Sequence, residues 1–346
     1  MLAVFSSTPM KSSICLLAAL AACGSSSNQS TTTDANPGGG DGAHHVDGAT
    51  NGADGAVVTT GRTIFVIPME NESASAIYGN ASAPYINNTL MAQAATASAF
   101  SDELPSAVPS EPHYVWMEAG TNAFSDRTFL TDVDPSATNS TSNTDHLVTQ
   151  LKAANLGWMS YQEGITAGTC PTASISGTFY AAKHDPFVFF QDVAGATPSA
   201  SNAYCAAHHK PYSAFAADLS AGTMPPFVFI TPNLCHDMHG AFGCPSGTGV
   251  AANIAAGDTW LSTELPAILT YASTHNSVVY LIWDEGSNNT TIPFLAFSPH
   301  IKTGSSSMAF THSSMLKSID EQLGVAVLAS VTSANDFSTL FQSGAF

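Results

Sequence analysis

Basic residues are scarce: 8 Lys and Arg stand against 26 Asp and Glu in 346 residues, a formal net charge of -18. A chain so short of cations repels polyanions at neutral pH, which excludes a nucleic-acid backbone and makes an anionic membrane face a poor partner. Any phosphate it handles must be met locally, by a metal ion or by donors aimed at it. Long apolar runs are missing too, since the run at residues 14–22 is too short to span a bilayer as a helix. There are only six cysteines, none in a CxxC spacing, which argues against a thiolate metal site. No internal repeat is present, and no second linker divides residues 62–346. What is abundant is apolar material, 44% of the chain against 10% charged, which is enough for one large domain with its own core.

Lys11 precedes the apolar run, which ends in Leu20-Ala21-Ala22-Cys23 before Gly24 and a series of serines. Residues 1–22 read as a signal peptide, and its end looks like a bacterial lipobox, in which cleavage leaves Cys23 as the lipidated N-terminus. The expectation is an exported lipoprotein of the cell envelope that touches a membrane only through that lipid. Residues 23–61 are Ser, Thr, Asp, Gly and Asn with almost nothing to bury, a flexible tether in which His44 and His45 have no third ligand nearby. Export places the remaining Cys170, Cys205, Cys235 and Cys244 in an oxidising compartment, where an even number suits disulfides. Three connectivities are possible; Cys170 with Cys205 and Cys235 with Cys244 is favoured because each closes a local loop.

Apolar runs rich in β-branched and aromatic residues at 63–67, 187–190, 227–230, 278–283 and 294–297 read as buried strands. Helical patterns lie between several of them, at 144–155, at 258–273 with an interruption at Pro266, and at 313–323. This alternation predicts an α/β sandwich of three layers around a mostly parallel sheet, with ligands at the carboxyl ends of the strands.

Polar clusters follow the strand-like runs: Glu70-Asn71-Glu72, Ser110-Glu111-Pro112-His113-Tyr114, the stretch from Asn233 through His236-Asp237-Met238-His239, and Asp284-Glu285. Hard divalent cations need several oxygen ligands from distant parts of a chain, and carboxylates at successive strand ends supply them. Taken singly, such an acid is more often a helix cap or a solvated loop residue.

Together the clusters resemble the phosphoesterase family that contains bacterial and fungal acid phosphatases and phosphatidylcholine-type phospholipases C, related to the alkaline phosphatase superfamily. The resemblance covers residues 62–340. Val66-Ile67-Pro68-Met69-Glu70-Asn71 is similar to the family's strand followed by Glu-Asn, and Ser110-Glu111-Pro112-His113-Tyr114 to its Ser-x-Pro-Asn-Tyr. Lys183-His184-Asp185-Pro186-Phe187, Pro232-Asn233-Leu234-Cys235-His236-Asp237-Met238-His239 and Trp283-Asp284-Glu285-Gly286 follow in the family's order. The chain departs from the pattern at His113, where the family usually has Asn.

The resemblance implies one or two divalent metal ions held by Glu70, Asn71, Ser110, Asp237, Asp284 and Glu285. It implies Ser110 as nucleophile, His239 and His312 as proton-transferring groups, and His113 and His184 as groups that meet the phosphate. Asp237 and His239, two apart, would share one side of an extended segment. His208, His209, His236, His275 and His300 are expected to be surface or structural. The implied activity is hydrolysis of small phosphate monoesters through a phosphoserine, best below neutral pH. The alternatives are a phospholipase C-like diesterase, for which the chain is short, and a surface lipoprotein that keeps the fold only to bind.

Overall fold

Six consecutive residues, Ile64–Met69, form strand β1 with every side chain buried, as a strand covered on both faces requires. The computed structural model that shows this describes residues 61–105, 107–287 and 290–346. The expected signal peptide and the tether up to residue 60, with Cys23, His44 and His45, lie outside the described residues.

The other strands are β2 (Ala95–Phe100), β3 (Trp158–Gln162), β4 (His209–Pro211), β5 (Phe227–Thr231), β6 (Val278–Trp283), β7 (Phe294–Phe297) and β8 (Gly304–Phe310). They make one sheet in the order β4-β3-β5-β1-β6-β7-β2-β8. β1 runs parallel to β5 and β6, and only β7 is antiparallel to its neighbours. The ladder from β1 to β5 ends at Val66, before Pro68, which has no N–H to donate, while pairing to β6 continues to Met69 opposite Trp283.

The helices are α1 (Ala74–Ile77), α2 (Ser110–Ala119), α3 (Leu147–Ala153), α4 (Gln191–Ala194), α5 (Ala203–His208), α6 (Phe215–Ser220), α7 (Val250–Thr274) and α8 (His312–Leu323). The expected α/β architecture with a mostly parallel sheet is therefore present. Two local expectations are corrected. The run at 187–190 is not a strand but a 3-10 helix, Pro186–Phe189. Pro186 fixes the first φ, and Phe187 and Phe189 find edge-on partners in Phe229 and Phe129, at 5.3 and 5.6 Å. Nor does Pro266 interrupt its helix: α7 is continuous for 25 residues. Pro266 and Ser262, the residue whose carbonyl loses its partner, are both exposed, so that carbonyl can be hydrated.

Among the described residues two disulfides join Cys170 to Cys205 and Cys235 to Cys244, with Cα separations of 5.1 and 5.4 Å. The second closes a loop of sequence separation 9 just after β5. Disulfides of this kind suggest export, and no described helix is long and apolar enough to cross a membrane.

Candidate active site

Because β1 and β6 are adjacent and in register to their last residues, the acids that follow them arrive together. Asp284 N–H donates to the Met69 carbonyl at 2.9 Å, and Asn71 N–H donates to Asp284 Oδ1 at 2.9 Å. Asn71 takes a left-handed backbone, φ 58°, which its short polar side chain tolerates, and its Nδ2 donates to Glu70 Oε2 at 2.8 Å. The Asn71 side-chain oxygen is left for another partner.

Ser110 is the first residue of α2, a helix buried along almost its whole length. Its Oγ lies 3.2 Å from Glu70 Oε2 and 3.2 Å from Glu285 Oε1. One hydroxyl has one proton and can satisfy only one of two carboxylates. The next residue, Glu111, fastens the facing loop by accepting from Val133 N–H at 2.8 Å and Asn139 Nδ2 at 3.0 Å.

Asp237 reaches the same place from the loop after β5, but not on an extended segment, which corrects the expected geometry. Met238 adopts φ 83° at 1% exposure, so the chain turns, and His239 N–H donates to Asp237 Oδ1 at 2.8 Å. Gly257 of α7 makes room, since a Cβ there would fall 2.4 Å from Met238 Cγ. Asp237, Glu70 and His184 then form a buried triangle whose ligand atoms lie within 4.8 Å of one another. His184 Nδ1 is 3.3 Å from Glu70 Oε1 and 3.7 Å from Asp237 Oδ2.

The charges are unbalanced. Burial, followed by the charge of Asp237, raises the Glu70 pKa well above the usual range, and burial followed by Glu70 does the same for Asp284. Asp237 is raised chiefly by burial, and Glu285 is pushed up to about 8 by burial and Asp284. Glu70 Oε1, Asp237 Oδ2, Asp284 Oδ2 and His184 Nε2 are buried without hydrogen-bond partners. Converging carboxylates with orphaned oxygens beside a neutral imidazole are a donor set that fits a hard divalent cation.

The histidines divide by what their nitrogens do. His239 donates from Nδ1 to the Gly240 carbonyl at 2.6 Å, which leaves Nε2 free, and its ring lies 5.8 Å from that of His184. Burial lowers both pKa values. His113 has no free donor for a phosphoryl oxygen: its ring nitrogens meet Asp102 Oδ1 at 2.9 Å and the Val108 carbonyl at 3.0 Å. Donation to both makes it an imidazolium, and Asp102 drives its pKa up to about 9 against the effect of burial. His312, first in α8, gives Nε2 to the Trp283 carbonyl at 2.9 Å, and its Nδ1 lies 3.8 Å from Asp102. His209 is buried against Asp185 at 3.0 Å, and His236 pairs with Glu163 at 2.9 Å. Nothing in the residue pattern points to Asp102, two residues beyond strand β2, nor to Tyr114 as a group facing the acids. An acid two residues after Phe100 would have been the signal had β2 been seen.

The sequence matches the phosphoesterase family over residues 85–290, more than half of the chain. This protein belongs to the phosphoesterase family. It is 29% identical over 273 residues to the phosphatidylinositol-3-phosphatase of Mycobacterium tuberculosis, covering 78% of this chain and 80% of that one. It is 26% identical over 236 residues to the phosphate-repressible acid phosphatase of Penicillium chrysogenum, covering 64% of this chain and about half, 50%, of the fungal one. Among solved structures it resembles a protein of the alkaline phosphatase superfamily from Vibrio parahaemolyticus, with TM-score 0.51 and 11% identity over 82% of this chain and 71% of that one. A phosphonate monoester hydrolase from Silicibacter pomeroyi is similar in fold, with TM-score 0.50 and 10% identity over 81% and 76% of the two chains. The phosphoesterase is thus a phosphoric ester hydrolase of this superfamily's fold.

Proposed function

We propose that the phosphoesterase hydrolyses phosphate monoesters with the help of a divalent cation and through a phosphoserine at Ser110. The observation that carries this reading is the Ser110 hydroxyl set between Glu70 and Glu285, 3.2 Å from each, among buried acids. Glu70, Asn71, Asp284 and Glu285 would hold the cation with Ser110, and Asp237 and His184 complete the buried triangle on the other side of Glu70. A bound cation supplies charge neutralisation and makes the serine hydroxyl more acidic.

The chain's own groups do the rest. Ser110 gives its proton to a neighbouring carboxylate, Oγ forms a bond to phosphorus, and the bond from phosphorus to the ester oxygen breaks. His239, with Nε2 free, protonates the leaving oxygen in its imidazolium form. Burial depresses the His239 pKa, so that form is populated below neutral pH, which favours an acid optimum. Water then attacks the phosphoserine, returning the serine hydroxyl and releasing phosphate. The buried His113 imidazolium, 3.9 Å from Glu285, offsets one negative charge without touching the ester.

A second reading, in which the phosphomonoester sits on an amphiphilic molecule, is favoured by Phe242. It is 99% exposed, three residues beyond His239, on the loop closed by Cys235 and Cys244. The mycobacterial relative's name describes such a substrate. Export as a lipoprotein anchored through Cys23 belongs to the same proposal, and radiolabelled palmitate incorporation lost in Cys23→Ser tests it.

The deciding experiment strips metal from residues 61–346 and adds divalent ions back. An aryl phosphate, a phosphorylcholine diester and a short-chain phosphatidylinositol 3-phosphate are assayed between pH 4 and 9, with Ser110→Ala alongside. Cation-dependent monoester turnover, abolished by the substitution, is expected. Diester turnover alone would replace this reading with a phospholipase C, and no turnover of any substrate would leave a binding protein.

A further inference from the structure

We propose that Tyr114 is a positioning residue of this centre, its hydroxyl fixing the Glu70 carboxylate and its ring fixing His184. The inference rests on the cation-dependent reading above. Tyr114 stands four residues after Ser110 on α2, so the two side chains share one face of the helix. The ring lies flat against His184, centroids 5.0 Å apart and planes inclined by 5°. No hydrogen bond orients His184 from Nε2, which has no partner, and Nδ1 faces the two acids; its other ring neighbour, His239, lies farther off at 5.8 Å.

The hydroxyl is the second observation. It is completely buried, closes no geometrically good hydrogen bond, and faces Glu70 with Asp284 and Asp237 close by. A buried hydroxyl without a partner is destabilising, and phenylalanine would fill the same space without that cost. Packing therefore does not explain the oxygen, whereas the carboxylate it faces does. With Asn71 Nδ2 and Ser110 Oγ already on Glu70 Oε2, at 2.8 and 3.2 Å, and Glu70 Oε1 without a partner, the unpartnered phenol is the donor available to hold that carboxylate against rotation. Groups that orient a ligand in this way typically change metal affinity 10–100-fold when removed, on the order seen across metal sites.

The test titrates Mn²⁺ calorimetrically into the stripped protein, for wild type, Tyr114→Phe and Tyr114→Leu, and measures kcat at saturating Mn²⁺. Tyr114→Phe is expected to weaken Mn²⁺ binding by roughly 10–100-fold with no loss in melting temperature of the stripped protein. Tyr114→Leu is expected to weaken binding equally and to lower kcat further by about tenfold, a loss that does not add to that of His184→Gln. Wild-type affinity in Tyr114→Phe would overturn the role of the hydroxyl even if Tyr114→Leu failed to fold. A kcat in Tyr114→Leu equal to that of Tyr114→Phe, or full additivity with His184→Gln, would overturn the role of the ring. A wild-type protein that binds no Mn²⁺ would overturn the cation reading and this role with it; wild-type binding with indifferent variants strikes Tyr114 alone.

Discussion

His146 meets Glu118 across the back of α2, Nδ1 to Oε1 at 2.8 Å, with both side chains buried. The other ring nitrogen lies 3.0 Å from Asp192 Oδ1 on α4, and the ring stacks on Phe190 at 3.9 Å. One imidazolium thereby ties the end of the helix that starts with Ser110 to α3 and α4. The two carboxylates outweigh burial and drive the His146 pKa up to about 9. A raised histidine pKa gives stability that is complete below the unfolded value near 6.5 and lost as pH rises through 9. The shift corresponds to about 3 kcal/mol at most, and burial pushing the Glu118 carboxyl upward offsets part of it. Calorimetric melting should show the wild type losing stability between those two pH values. His146→Leu should be less stable below pH 6.5 and should keep only a shallower slope across the window, to which His113, also raised to about 9, still contributes; an equal pH slope in the variant would remove the pair from the account.

Ser110→Ala should lower turnover of an aryl phosphate by roughly 10⁴-fold or more, as loss of a nucleophile does elsewhere. Acid-quenched wild-type protein should carry a phosphoryl group on the peptide containing Ser110, read by mass spectrometry. Full labelling at another residue would refute the assignment.

His239→Gln should discriminate between leaving groups. A nitrophenolate departs without a proton, whereas an alkoxide needs one, so loss of a general acid worth about 10²–10⁴ should fall mainly on alkyl phosphates. The fall in kcat as pH rises through the depressed His239 pKa should vanish in the variant. Equal losses on both ester classes would mean that His239 only binds.

The central strands and the acids behind them were legible because β1, β5 and β6 are buried on both faces and read as unbroken apolar runs. Strand β8, Gly304–Phe310, was not, since it is a largely exposed, serine-rich edge strand whose place is set by pairing with β2. Strand β2 is built of alanine, serine and threonine before Phe100 and gives no apolar run either. With it went Asp102, and so the reason why His113 turns away from the phosphate position. Residues that follow recognisable strands were found, while those defined by a partner far along the chain, Asp102 with His113 or His146 with Glu118, needed the fold.

The loop that delivers Asp237 and His239 is held by the bond between Cys235 and Cys244, whose separation of 9 residues closes a small ring. Closing a loop of that size removes chain entropy worth roughly 3 kcal/mol in the unfolded state. Its second effect is local, since Met238 keeps φ 83° between the two functional residues, a conformation a bulky side chain holds only under constraint. Cys235→Ser with Cys244→Ser should therefore lower the melting temperature and also weaken divalent-ion binding, because Asp237 loses its fixed approach to Glu70 and His184. Cys170→Ser with Cys205→Ser, which leaves the Asp237 loop closed, should lower the melting temperature alone. Calorimetric titration of both pairs, performed well below their melting points, separates these outcomes, and equal ion affinity in the two would confine the Cys235 bond to stability.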